Sequence, residues 1–299
     1  MDISTLQIFT EVMRQESFAA VARERNVDPS SVSRTISGLE KELGVRLFQR
    51  TTRKLSPTEA GVIYFRYVEP LVEEIYHAEE LIKEALGQPQ GTLKVTASVS
   101  FGLKCIIPLL PKFEAIYPDL IIELLLTDSR LDLLTDKIDL AIRLGKLKDS
   151  TLIMQRLIST KYLVCASPHY LAQHQPINQP TDIEKHNCLL FPLAGFKTHW
   201  IFKDKQSKVR KISVRGRTII SNAIALQECM IAGMGLALLP NWLIDEDIKS
   251  GKIVKVLPDY DVTAIDFSTS AWLVYPSRRY VPLKVKVFAD FLKKYLTNI

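Results

Sequence analysis

Ser30, Ser33, Arg34 and Ser37 fall on one side of a predicted helix and carry the chemistry of nucleic-acid contact. Small hydroxyls let a helix sink into a major groove, and an arginine among them can bond a guanine edge or a phosphate. A face that is merely solvated would more often carry Glu and Lys. Just beyond, residues 46 to 54 hold Arg46, Arg50, Arg53 and Lys54 with no acid among them, which fits a wing laid along phosphates.

The flanking sequence supplies what such a face needs to be held. Asp28 can cap the first turn and Pro29 suits the first helical position, where no amide hydrogen is required. Val32, Ile36, Leu39 and Leu43 then recur at helical spacing and form the buried side. Ahead of them, Ser17 can cap a helix that buries Phe18, Val21 and Ala22, and Asn26 to Asp28 supply the break of a helix-turn-helix. Leu6, Phe9 and Met13 predict a further helix over 3 to 14 that props the pair from behind. Residues 58 to 86 place Tyr64, Val68, Leu71, Ile75, Ala78, Ile82 and Ala85 at alternating spacings of four and three, with Val72, Leu81 and Leu86 widening the stripe. This is a heptad seam, which pairs with its twin from a second chain or packs on its own domain. Pro70 inside it should kink the helix or remove one hydrogen bond.

Gly87 to Gly91 form a polar break, after which the pattern turns to β/α. Strands are predicted at 93–97, 121–126, 138–142, 161–166, 188–191, 212–220, 235–239 and 269–275. Helices are predicted near 109–117, 129–136, 168–174, 222–232 and 282–296. Such alternation implies largely parallel sheets with ligand sites beyond the carboxyl ends of the strands. Ser98, Val99, Ser100, Phe101 and Gly102 follow an apolar strand and open a helical segment. Free amides and hydroxyls there can hold a carboxylate or another small anion, or Ser98 or Ser100 simply caps the helix.

Other chemistries find little support. No HExxH, GxSxG, Walker or two-metal carboxylate pattern occurs, and GMGLALLP at 233 to 240 lacks the third glycine of a dinucleotide fingerprint. His77, His169, His174, His186 and His199 have no ligand-like spacing, so neither a metal nor a cofactor is expected. Cys105, Cys165, Cys188 and Cys229 are far apart and read as reduced, mostly buried thiols. Residues 203 to 217 hold seven Lys or Arg against Asp204 alone; a second DNA contact or a solvated, charged hairpin would explain them.

With 299 residues and 47% hydrophobic content, the chain exceeds one small head and needs at least one further domain with its own core. The net charge of +6 is mild, and residues 1 to 58 carry nine Lys or Arg against seven Asp or Glu. Overall charge permits nucleic-acid binding, but the clustered wing carries the argument. No cationic, apolar leader opens the sequence, and no apolar run approaches the roughly 20 residues of a membrane helix, so a soluble, cytoplasmic protein with no membrane partner is expected.

The run AAVARERNVDPSSVSRTISGLEKELGVRLFQRTTRKLSPTEAG resembles the amino-terminal signature of LysR-type transcriptional regulators, a bacterial family. The likeness includes Val32, Ser33 and Arg34, then Leu39 and Glu40, Leu43 and Gly44, Leu47 and Phe48, Arg50, Arg53, Thr58 and Gly61. One departure is Pro29, where many relatives carry a polar residue, often glutamine; base reading then shifts to Ser30, Ser31, Ser33 and Arg34, with Ser37, Arg50, Arg53 and Lys54 completing the DNA contacts. The second half is similar to the family's effector-binding region at GTLKVTASVSFG (91–102), IDLAIRLG (138–145), SNAIALQECMIAGMGLALLP (221–240) and YPSRRYVPLKVKVFADFL (275–292).

The resemblance implies a multidomain α and α/β protein. Its parts are a winged helix-turn-helix over 1–58, a linker and dimerisation helix over 59–86, a hinge at 87–91 and a two-lobed effector domain over 92–299, similar in fold to periplasmic solute-binding proteins. Lobe I takes about 92–162 and 266–299, and lobe II about 163–265. It also implies an effector cleft lined by Ser98, Ser100, Phe101, Thr127, Arg143, Ser221 and Asn222, with Arg143 alternatively a structural ion-pair partner. The partners implied are double-stranded DNA with a partly palindromic operator, a small effector, anionic or polar, further copies of the chain in a homotetramer built as a dimer of dimers, and RNA polymerase. An enzyme carrying a DNA-binding module and a stand-alone solute-binding protein are the rival readings.

Overall fold

Polar caps start the helices of the amino-terminal part. Asp2 accepts the Thr5 amide at the head of α1 (Ile3–Gln15), Ser17 the Ala20 amide of α2 (Phe18–Glu24), and Asp28 the Ser30 amide of α3 (Pro29–Leu43). The turn between α2 and α3 passes through Asn26 at φ 53°, and α3 stops at Gly44, whose φ of 68° suits a residue without Cβ. The computed structural model describes residues 2–50, 55–85, 89–145, 152–193, 195–276 and 281–296. It divides between Pro89 and Gln90 into two compact units.

In the first unit, β1 (Phe48–Arg50) and β2 (Leu55–Pro57) pair antiparallel and precede α4 (Glu59–Ala85), which runs without a break through Pro70. Phe9, Val12, Val21, Val32, Ile36, Leu39, Leu47 and Phe48 form its core, and Phe9 meets the rings of Phe48, Tyr64 and Phe65. The seam expected along α4 is divided. Tyr64, Val68 and Val72 pack into this core because the first half of α4 crosses α1, an approach tied by the Arg14–Glu69 ion pair at 2.8 Å. Val68 is therefore not available to a twin helix. The exposed apolar row runs instead through Ile63, Tyr67, Leu71 and Ile82, with Leu71 60% and Ile82 68% exposed and Ile75 half-buried.

The second unit holds two mixed sheets. Lobe I is built on β3 (Gly91–Ala97), β4 (Leu120–Leu126), β5 (Leu140–Leu144) and β6 (Ile153–Ser159). A helical run follows β3: α5 (Val99–Phe101), a π turn at Gly102–Ile106, a 3-10 turn at Ile107–Leu109 and α6 (Leu110–Ile116). Lobe II contains β7 (Tyr162–Ala166), α7 (Pro168–Gln173), β8 (Cys188–Leu190), β9 (His199–Lys203), β10 (Val209–Ser213), β11 (Thr218–Ile219), α8 (Ala223–Ile231), β12 (Leu236–Pro240), α9 (Asn241–Lys249), β13 (Val254–Val256) and β14 (Asp261–Thr263). The chain then returns to lobe I with β15 (Ser270–Tyr275) and α10 (Leu283–Leu296). The sheet orders are β4-β3-β5-β15-β6 and β10-β9-β14-β7-β12-β8-β11, with β13 also on β7.

Parallel pairing, expected to dominate, is confined among the described residues to β3 with β4 and β5, and β8 with β11 and β12. The strands that enter and leave at the crossovers, β6, β7, β14 and β15, pair antiparallel. The two crossovers are bonded to each other: the Thr160 amide donates to the Thr269 carbonyl at 2.9 Å, and the Thr269 hydroxyl to the Thr160 carbonyl at 2.8 Å. One hydrophobic core extends through both lobes, and Phe101 of lobe I meets Trp242 of lobe II edge-on at 5.1 Å.

Candidate functional site

The polar face of α3 forms as its spacing predicts. Ser30, Arg34 and Ser37 are exposed, while Ser31 and Ser33 are half-buried. Arg34 lies back along its own helix, its Nε 3.3 Å from the Ser30 carbonyl and its Nη2 3.4 Å from the Ser30 hydroxyl; these long bonds are easily exchanged for a stronger acceptor. Ser37 donates to the Ser33 carbonyl at 2.8 Å. Arg50 ends β1, whereas Arg53 and Lys54 lie outside the described residues.

Sequence reading missed how the wing is fastened. Glu40, on α3, accepts the Leu47 amide at 2.8 Å and the Phe48 amide at 3.1 Å through one carboxylate oxygen, so the strand into the wing hangs from the recognition helix. Thr58 closes the base: its hydroxyl donates to the Arg46 carbonyl at 2.7 Å and accepts the Gly61 amide at 3.0 Å. A Cβ at Gly61 would run into the Leu47 carbonyl, so only glycine lets α4 pass so near this strand.

In the second unit, a cavity of about 270 Å³ lies where the lobes meet. Lobe I contributes Ser98, Ser100, Asp128, Leu144 and Gly145. Lobe II contributes Tyr162, Phe191, Phe196, Ala223 and Trp242, and the crossover region adds Thr263, Asp266 and Thr269. The walls are thus mostly aliphatic and aromatic, with Ser98, Ser100, Thr263, Thr269, Asp128 and Asp266 as polar residues among them.

The residues singled out in sequence distribute unevenly around it. Ser98 and Ser100 reach the cavity. Ser98 also caps α5 by accepting the Phe101 amide at 3.4 Å, the capping role that its position allowed. Ser100 is 3% exposed, and its hydroxyl accepts the Ile224 amide of α8 at 3.3 Å, a bond from one lobe to the other. Phe101 is fully buried behind the wall against Trp242 and does not line the cavity. Neither do Thr127, whose hydroxyl accepts the Ser129 amide at 3.1 Å, nor the exposed Ser221. Asn222 caps α8 through the Ile224 and Ala225 amides and donates across to Asp128 at 3.0 Å. Arg143 also stays out of the lining: its Nη2 donates to the Leu131 carbonyl at 2.6 Å, and burial, then Arg130, holds its pKa below the usual arginine value. Asp128, Tyr162, Phe191, Phe196 and Trp242 carried no signal apart from ordinary core or loop composition, because only the topology gathers them.

A winged head joined to a two-lobed domain with a cleft is matched by known sequences. Residues 3–62 match the family described as bacterial regulatory helix-turn-helix protein, lysR family, and residues 86–297 match the LysR substrate binding domain. The chain belongs to the LysR-type transcriptional regulators. The HTH-type transcriptional regulator CrgA of Neisseria meningitidis serogroup C is 34% identical over 293 residues, covering 98% of this chain and 96% of CrgA. The regulator DmlR of Escherichia coli is 31% identical over 297 residues, covering 99% and 95%. The solved structure of CrgA is similar to this regulator with a TM-score of 0.62 at 32% identity, and full-length AphB of Vibrio cholerae, described as a virulence activator, with 0.61 at 27%; each pair covers 99% of both chains.

Proposed function

We propose that this LysR-type regulator acts by binding rather than by catalysis, reading double-stranded DNA with α3 and its wing and taking a small effector into the cavity between the lobes. The observation that carries the reading is that cavity, which is walled by both sheets and lies beside both crossovers. A ligand held there touches both lobes at once, so its binding free energy can differ between their arrangements, which is the requirement for a signal.

On this reading Ser30, Ser31, Ser33, Arg34 and Ser37 face the groove, and Arg50, Arg53 and Lys54 neutralise phosphates. Ser98 and Ser100 touch the effector and Asn222 holds the lining residue Asp128, while Phe101, Thr127, Arg143 and Ser221 stand outside the lining. The units are the head over 1–58, the linker helix over 59–86, the hinge at 87–91 and the effector domain over 92–299. Paired α4 helices and a second contact between effector domains make a dimer of dimers on a partly palindromic operator, with RNA polymerase the partner that receives the signal. The bacterial cytoplasm is where such a protein meets its DNA, and no helix among the described residues is long and apolar enough to cross a membrane.

Equilibrium titrations of labelled duplexes at several salt concentrations test the DNA assignment. Arg34→Ala should cost about 1 to 3 kcal/mol in operator binding, whereas Arg53→Ala should weaken all duplexes alike and reduce the salt slope by about one. Operator affinity of Arg34→Ala equal to the parent's at matched salt would reject the register assigned to α3.

A further inference from the structure

We propose that Asp128 sets the chemical class of the effector: its carboxylate occupies the place that an anionic ligand would take, so the cavity selects a neutral or cationic molecule with a small apolar body. This rests on the cavity being the effector site. The Val99 amide donates to one oxygen of Asp128 at 3.2 Å, and the Asn222 side-chain amide to the other at 3.0 Å. One donor belongs to lobe I and the other to lobe II, and Asn222 is at the same time the cap of α8. The groups that would grip a ligand carboxylate across the cleft therefore already hold one, and it is the protein's own.

The remaining lining points the same way. Among the described residues around the cavity, the charged side chains are Asp128 and Asp266, both acids. Arg143, the cation expected here, turns to the Leu131 carbonyl instead. A second anion beside Asp128 would meet like charge, and the described residues of the lining supply no cation to compensate. The aromatic faces of Tyr162, Phe191, Phe196 and Trp242 suit an apolar ring, and they attract a cation. Ser98 and Ser100 each accept one amide proton and keep a hydroxyl proton to donate, enough to orient a neutral carbonyl or hydroxyl.

Calorimetry on the full-length protein with three near-isosteric probes, benzoate, benzamide and benzamidine, tests the proposal. The parent should bind benzamide or benzamidine at least about tenfold more tightly than benzoate, a difference of roughly 1.4 kcal/mol. Asp128→Asn keeps a side chain of the same shape and removes the charge, and should cut that ratio at least about threefold; Asp128→Ser, which frees both donors, should admit benzoate. Ser98→Phe should abolish binding of every probe by filling the cavity. A parent that prefers benzoate, or an unchanged ratio in Asp128→Asn, with binding still abolished by Ser98→Phe, overturns the role of Asp128 and leaves the site standing. Binding of no probe by the parent, or binding that survives Ser98→Phe, overturns the site and the ligand class together.

Discussion

Removing the Glu40 carboxylate should loosen the wing and unfold the head early while leaving the effector domain unchanged. Glu40→Ala takes the acceptor from two main-chain amides, those of Leu47 and Phe48, whose side chains are 0% and 1% exposed. Hydrogen bonds to a charged partner are worth about 1.5 to 3 kcal/mol, and some of that returns if water reaches the freed amides. A net loss of about 2 kcal/mol is therefore expected. A unit of 60 to 100 residues shifts by about 4 to 8 °C for each kcal/mol, so the melting of the head should fall by roughly 8 to 16 °C. Glu40→Gln retains an oxygen at the same position and should lose about half as much. Scanning calorimetry of the full chain would resolve the head from the effector domain, and duplex titrations would report the wing through a smaller salt slope. A head transition within about 1 °C of the parent in Glu40→Ala would refute the claim that this carboxylate fastens the wing.

Placing Asp at both Leu71 and Ile82, on the exposed row of α4, should disrupt pairing between chains without unfolding the head, as sedimentation read beside the head's melting temperature would show; an unchanged mass would refute that pairing. Cys105, Cys165 and Cys188 are buried, and burial pushes each thiol up to about 12, so a thiol reagent should label half-buried Cys229 first and the other three only on unfolding; fast labelling of Cys165 would contradict the fold of lobe II. His186 is 6% exposed, with Nδ1 3.2 Å from the Tyr170 hydroxyl, and burial, then His174, holds its pKa below the usual histidine value of 6.5. The unfolded chain then binds the proton more readily, so this histidine's contribution is intact above about pH 6.5 and fades as pH falls through the lower folded value. The melting temperature of His186→Gln should therefore depend less steeply on pH below 6.5 than the parent's, and parallel curves would exclude this source.

The head was legible because local rules and tertiary packing agree there. Asp28 and Pro29 mark the start of α3, and Val32, Ile36 and Leu39 are the residues it buries. The seam of α4 misled because helical spacing shows which residues share a face but not what that face meets, and α1 claims Val68 and Val72. The helix expected over 129–136 is a turn: Asp132 accepts the Leu134 and Thr135 amides, and Asp136 accepts the Asp132 amide, so side chains satisfy the donors a helix would have used. The strand expected over 212–220 is cut where Gly216 passes so close to the Cys188 carbonyl that a Cβ would overlap it. α9 was missed because Pro240 caps it without a side-chain bond and Trp242, Leu243 and Ile244 run together, hiding the period. Of the site, Ser98 and Ser100 announced themselves by standing between a strand and a helix. The aromatic wall comes from segments far apart in sequence, each of which resembles ordinary core.

The position of β15 has a bearing on how the protein is made. This strand lies between β5 and β6 and is bonded to both, yet it follows them only after the whole of lobe II. During synthesis the nascent chain therefore carries β5 and β6 with unpaired edges while β7 to β14 emerge and acquire partners of their own. The lobe that begins first is completed last, and the open edges of β5 and β6 are where a stalled or truncated chain would pair with a neighbour.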